Sequence, residues 1–464
     1  MVFSSLTFLY VFLPVVLLVY WLAPKGLKNM ILLIASLLFY AWGEPVYITI
    51  MLFSSLVDYS HGLLIEKYRQ HPWLPKLILL SSVCINLSIL FFFKYTDFVL
   101  HNLNAWLGTN LALLDLPLPI GISFFTFQTM SYTIDVYRDA VPVQRNLINF
   151  ATYVTLFPQL IAGPIVRYSE VAREIDERTI SWPGFYAGIW RLLIGLGKKV
   201  LLANNIGLLW EEISRQTSLS LASAWLGAAA FGLQIYFDFS GYSDMAIGLG
   251  RMLGFNFPEN FNYPYISQSI TEFWRRWHIT LGSWFRDYVY FPLGGSRVSG
   301  FRYWRNLFLV WFLTGFWHGA AWNFILWGLY MGLLIAVERL FLAKLLRRVS
   351  RPLRHLYVLL ALMPSWALFA IEDLTQLRAY LGIMLGLGGA RLVDPVFVYY
   401  LGNNALLGAI LLLAATPFFA QLARRVKPKS RLRWLQPIVL VIILFLTTAY
   451  LVADTYNPFL YFRF

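Results

Sequence analysis

The chain has 464 residues, of which 59% are hydrophobic and 13% charged, about half the charge of an ordinary soluble domain. Long apolar runs recur from end to end without the short alternating segments of a β-barrel, so the chain reads as an all-α polytopic membrane protein. The formal net charge of +14 sits in loops between those runs, which points to anionic lipid headgroups and away from nucleic acid. A single cysteine, Cys84, excludes an internal disulfide and a cysteine-based metal site.

In chain order, the first apolar run covers 6–22. It is too long for a signal-peptide core and has no small-x-small cleavage site, so it is expected as a retained helix. Further runs lie near 29–43, 46–65, 77–93, 147–162, 185–203, 221–237, 306–317, 321–337, 356–371, 403–422 and 435–453, with interrupted apolar stretches near 95–107, 120–137 and 278–293. The expectation is about eleven to thirteen transmembrane or re-entrant helices. No linker or repeat divides the chain, so 1–464 is expected as a single membrane domain.

Basic loops set the orientation. Lys25 and Lys28, then Lys67, Arg69 and Lys76, then the cluster from Arg339 to Arg354, and finally Arg424, Arg425, Lys427, Lys429, Arg431 and Arg433 are expected on the cytoplasmic side. The N-terminus and the tail "YNPFLYFRF" then fall outside the cytoplasm. Asp58 and His61 share a helical face near a predicted cytoplasmic end and read as an interfacial pair.

The stretch "LVWFLTGFWHGAAWNFILWG", residues 309–328, carries His318 in its middle. Arg275, Arg276, Arg286, Arg297, Arg302 and Arg305 mark the preceding segment as cytoplasmic, and the next basic residue is Arg339. The segment 306–338 must therefore enter from the cytoplasm and return to it. Thirteen helical residues from Arg305 to His318 rise about 20 Å into a core about 30 Å thick, so His318 lies deep, near a turn, with Gly315 and Gly319 on either side. An ionisable group at that depth points to function, and an imidazole suits a general base or proton carrier.

The stretch "SITEFWRRWHITLGSWFRDYVYFPLGGSR", 269–297, reads as an amphipathic helix at the cytoplasmic interface. Its arginines can be snorkelling anchors in an aromatic belt, or can attract the phosphates of an anionic donor at a cytoplasmic mouth. His278 would line the path from that mouth to His318. No P-loop is present. The stretch "FDFSGYSDMAIGLGRMLGFNFPENFNYPY", 237–265, holds Asp238, Ser240, Ser243 and Asp244. Its Gly, Asn and Pro content argues against a continuous span and for a polar re-entrant loop. Neither serine has the glycines of a nucleophile elbow, so no serine nucleophile is expected. The histidines lack metal-ligand spacing.

These stretches together carry a resemblance. "TEFWRRWHITLGSWFRDYVYFPLGG" followed by "LTGFWHGAAWNFILWG" resembles the membrane-bound O-acyltransferases. "PIGISFFTFQTMSYTIDVYR", "FPQLIAGPIVRY", the 237–265 stretch, the opening "MVFSSLTFLYVFLP" and the tail "NPFLYFRF" resemble their bacterial alginate O-acetyltransferase branch. The resemblance covers essentially the whole chain. It implies a bowl of helices with a central tunnel in the bacterial inner membrane. It implies His318 as the catalytic histidine and His278 as its second. It also implies a cytoplasmic thioester donor, acetyl-CoA or an acetylated acyl carrier protein, with no tightly bound cofactor. The acetyl group would pass to a periplasmic partner of SGNH-hydrolase type that modifies an exopolysaccharide; alginate, cellulose and peptidoglycan stay open. Arg275, Arg276, Arg286, Trp277 and Asn323 are the expected donor-binding residues. The competing reading is a transporter or flippase for a polysaccharide precursor, which predicts two related halves and paired intramembrane acids and bases; the sequence displays neither.

Overall fold

A computed structural model of the chain describes residues 1–216, 218–387, 389–425, 435–453 and 460. The described residues are helical with no strand among them. Six of their helices are long and apolar enough to cross a membrane, seven if a pair bent by 61° at Asn404 counts as one span. The chain is a multi-pass membrane protein. The expected basic loop 427–433 and nearly all of the tail 456–464 lie outside the described residues.

Two compact units divide the chain: one of residues 1–192 and 242–258, the other of 193–241 and 259–464. In the first, the runs expected at 77–93 and 95–107 fuse into one helix, Leu74–Leu107. It packs with Ile48–Lys67 and Ile122–Tyr137. The contact between them is polar. Asp58 is buried and accepts from Ser82 Oγ at 2.6 Å and Asn86 Nδ2 at 2.9 Å, and Ser54 Oγ donates to Asn86 at 2.6 Å. Asp58 thus turns inward rather than forming an interfacial pair, while His61 bonds the Val57 carbonyl and Ser81. Inside lipid such bonds hold helices together because the alternative is an unsatisfied polar group in hydrocarbon. The run expected at 147–162 is broken at Leu156 into Leu147–Thr155 and Phe157–Leu160. Pro158 has no N–H to return to the preceding turn, and the Phe157 N–H instead donates to Ser36 Oγ at 3.0 Å.

The stretch 237–265 departs from its sequence reading in its first part, 237–253, while 255–263 is irregular as its Gly, Asn and Pro content predicts. Helix Leu221–Leu253 continues through its glycines and ends only at Gly254. Those glycines serve close packing. A Cβ on Gly248 would stand 2.7 Å from the Gly188 carbonyl oxygen, and one on Gly241 would stand 2.8 Å from that of Gly195. Helix-to-helix backbone contact needs residues without side chains there.

The second unit is built around a helical hairpin, Phe301–His318 and Trp322–Val337, against helix Arg351–Ala370. Its core gathers Phe231, Phe273, Trp277, Trp327, Leu362, Trp366 and Phe369. Tyr330 Oη donates to the Ala361 carbonyl at 2.9 Å, tying the hairpin to that helix. A buried ion pair, Lys199 Nζ to Asp238 at 2.9 Å, joins the helical segment ending at Ser214 to the middle of the 221–253 helix. Lys199 also donates to Asn204, and Asp238 accepts from the Leu460 N–H at 3.1 Å.

Candidate active site

His318 is the last residue of helix Phe301–His318 and sits at the tip of the hairpin. The turn is set by glycine. Gly319 is extended, and a Cβ there would collide with the Phe324 ring. One turn earlier Gly315 faces Gly328 across the hairpin, so close that a Cβ on Gly328 would stand 3.0 Å from the Gly315 Cα. The segment 306–338 thus folds back on itself at Gly319, with Arg305 and His318 on one continuous helix about 20 Å apart. At the open end, the Arg339 guanidinium lies 3.8 Å from the Tyr303 ring centroid, a cation–π contact that closes the pair.

The imidazole of His318 is 5% exposed. Three aromatic rings surround it: Trp327 edge-on at 5.0 Å, Phe369 at 5.3 Å and Trp317 at 5.1 Å. Trp317 also reaches His278, at 6.2 Å between centroids. The two histidines therefore share one aromatic wall.

The stretch 269–297 is not one amphipathic helix. It breaks into Ile270–Arg276 and Ile279–Phe285, followed by a wide turn at Arg286–Tyr290. The break is His278 itself, at φ 44° and ψ 53°. A left-handed backbone at a residue with a Cβ costs roughly 1–2 kcal/mol, so something must hold it. Asn260 does. Its Oδ1 meets His278 Nδ1 at 3.1 Å, Thr280 Oγ1 at 2.9 Å and the Thr280 backbone N at 3.3 Å, while its carbonyl accepts from the Ile279 N–H at 3.0 Å. A backbone N–H can only donate, so the amide atom it meets is an oxygen, and His278 Nδ1 must carry the proton. The neutral ring then presents its lone pair at Nε2.

Glu338 holds the start of the short helix. Its buried carboxylate accepts from the N–H groups of Ile270 at 2.5 Å and Thr271 at 2.9 Å, from Thr271 Oγ1 at 2.6 Å and from Tyr357 Oη at 3.2 Å. It replaces the missing partners of a helix N-terminus. Neither Asn260 nor Glu338 is singled out by the sequence, because each acts on residues 18 or more positions away. The alternation of a lone acid with the apolar run ending at Val337 was the one available signal for Glu338.

The expected donor-binding residues separate. Trp277 is buried and stacks on Phe273 at 5.4 Å and near Trp366 at 5.0 Å, part of the aromatic wall. Asn323 is fully buried; its amide donates to the carbonyls of Leu368 at 3.1 Å and Phe369 at 3.3 Å, at the end of helix Arg351–Ala370. It thereby fixes the last turn of that helix, which carries Phe369, against His318. Arg275 is exposed. Arg276 is bound to Glu272 at 3.0 Å and to the Asn262 carbonyl at 3.1 Å. Arg286 makes a two-point pair with Asp287 at 2.7 and 3.0 Å.

The family pattern of the membrane-bound O-acyltransferases matches residues 37–358, a region that includes both histidines. The chain belongs to the membrane-bound O-acyltransferase family. It is an acyltransferase. It is 42% identical over 398 residues to the probable alginate O-acetylase AlgI of Azotobacter vinelandii, covering 85% of this chain and 80% of that protein. It is 38% identical to the protein of the same name from Pseudomonas putida over the full length of both. A peptidoglycan O-acetyltransferase of Helicobacter pylori is 32% identical over all of this chain and 98% of its own length.

Proposed function

We propose that this O-acyltransferase takes an acetyl group from a cytoplasmic thioester, acetyl-CoA or an acetylated carrier protein. It relays that group across the bacterial inner membrane to a periplasmic SGNH-type partner, which then O-acetylates an exopolysaccharide such as alginate. Both termini lie outside the cytoplasm in this reading. The observation that supports it most is the placement of His318: a buried imidazole at the tip of a hairpin whose open ends are basic. A base there stands between the two faces of the membrane.

The step is an acyl transfer. The acceptor hydroxyl oxygen attacks the thioester carbonyl carbon, the C–S bond breaks, and the thiol leaves with a proton. His318 takes the hydroxyl proton as the C–O bond forms. His278, fixed by Asn260 with Nε2 as acceptor, receives or passes that proton toward the leaving sulfur. The Trp317, Trp327 and Phe369 rings keep water from the thioester and limit its wasteful hydrolysis. Asn323 and the paired glycines keep the ring walls in register.

Sided proteoliposomes test the relay. With labelled acetyl-CoA supplied only on the cytoplasmic face, label should reach a serine-bearing partner on the opposite face. Label that stays on the donor face, or crosses as intact acetyl-CoA, refutes it.

A further inference from the structure

Beside the start of helix Ile270–Arg276 lies a cavity of about 520 Å³, open on one side. Arg339, Arg347 and Arg354 line it, with the hydroxyl-bearing Ser269 and Thr271 opposite. Two carboxylates also border it, and both are engaged. Glu338 holds the helix start through four hydrogen bonds, and Glu272 binds Arg276 and accepts from the Gln268 N–H at 2.9 Å. Arg354 is half-buried, and its Nε is buried without a hydrogen-bond partner. The neighbouring His355 is pinned through Nδ1 to the Ser267 carbonyl at 3.1 Å, which fixes this part of the helix beside the cavity.

Arg339 and Arg347 are exposed, Arg339 lies over the Tyr303 ring, and Glu338 keeps one negative charge at the edge, so solvent and that carboxylate offset much of their repulsion; the buried Arg354 Nε is the donor left without an acceptor. Guanidinium forks match phosphate oxygens in pairs. The sequence explains these arginines only as cytoplasmic loop charge. Of the arginines it favours for a donor, Arg276 and Arg286 are bound to carboxylates of their own, and Arg275 is exposed.

We infer that the Arg339–Arg347–Arg354 cavity binds a phosphate ester, and, resting on the donor reading above, that this ester is the phosphate end of the thioester donor. Geometry connects it to the histidines. Helix Ile270–Arg276 runs from the cavity to His278, and its seven residues rise about 10 Å. A pantetheine arm is comparable to about four or five extended residues, roughly 15 Å. Phosphates held in the cavity therefore leave the thioester within reach of His278.

The test uses the full chain in nanodiscs of phosphatidylcholine, with Arg347→Gln, Arg354→Gln and the double variant beside Arg347→Lys. Expected is a rise of ten-fold or more in the KM for acetyl-CoA in the double variant, with kcat within two-fold and partial rescue by lysine. Inorganic pyrophosphate should raise the melting temperature of the wild type and compete with acetyl-CoA, and should do neither in the double variant. An unchanged KM, with pyrophosphate acting alike on both proteins, overturns the proposal. Arginine-dependent stabilisation by phosphatidylglycerol with no response to pyrophosphate also overturns it and makes the cavity a lipid headgroup site. A wild type that transfers no acetyl group, yet responds to pyrophosphate only with its arginines intact, supports the phosphate site and discards the donor reading.

Discussion

Asn260 accepts a hydrogen bond from His278 Nδ1 at 3.1 Å, and the same oxygen is fixed in place by Thr280. One amide thus sets the tautomer of the second histidine and holds its backbone at a positive φ. Removing this bond should misorient the ring while leaving the fold largely intact. Asn260→Ala is expected to lower kcat roughly ten-fold, the equivalent of one orienting hydrogen bond of about 1–2 kcal/mol. Asn260→Asp keeps the acceptor and should retain more activity than Asn260→Ala. Initial rates of CoA release at equal folded yield check both.

Gly315 and Gly328 bring the two arms of the hairpin into backbone contact. A methyl at either position must push the arms apart. Gly315→Ala and Gly328→Ala are each expected to destabilise by about 1–3 kcal/mol, as overpacking does, and to cut activity by displacing His318 from Trp327 and Phe369. Thermal melts in detergent alongside rate measurements check this; a normal melt with normal activity at either position contradicts the packing argument.

Lys199 and Asp238 pair at 2.9 Å with side chains 1% and 3% exposed. Either one alone would be an uncompensated buried charge. Lys199→Met should therefore lose about 3–5 kcal/mol, whereas Lys199→Met combined with Asp238→Leu should recover much of the loss. A double-mutant cycle on folded yield and melting temperature measures the difference; additive losses would show that the two residues act separately.

Glu338 anchors the start of the short helix that leads to His278. Glu338→Gln keeps one acceptor and loses the charge, so it should lower kcat several-fold with a modest drop in melting temperature, since a charge-assisted bond contributes about 1.5–3 kcal/mol. Glu338→Ala should be markedly worse. Equal rates in the two variants would argue against this anchoring role.

Much of the hairpin is legible in the sequence. The basic residues at Arg305 and Arg339 lead to the expectation of a segment that turns back near His318, and the chain does turn there, between helices Phe301–His318 and Trp322–Val337. The break at His278 is not legible, because no glycine or proline marks it and the force that holds it comes from Asn260, 18 residues earlier. The continuation of the helix through Gly241 and Gly248 is misread for a related reason. Glycine signals a breaker locally, but here it answers to the close backbones of Gly195 and Gly188. Arg339, Arg347 and Arg354 look like ordinary loop charge until the fold gathers them around one cavity.

His318, as the base of the proposed acyl transfer, should be required for turnover. The direct test is CoA release from labelled acetyl-CoA by the purified protein with its acceptor partner, comparing wild type with His318→Ala and His318→Gln at equal folded yield. Expected are turnover by wild type and a loss of at least a hundred-fold in both variants. Equal rates in wild type and variants would contradict it and leave His318 a packing residue of the hairpin tip.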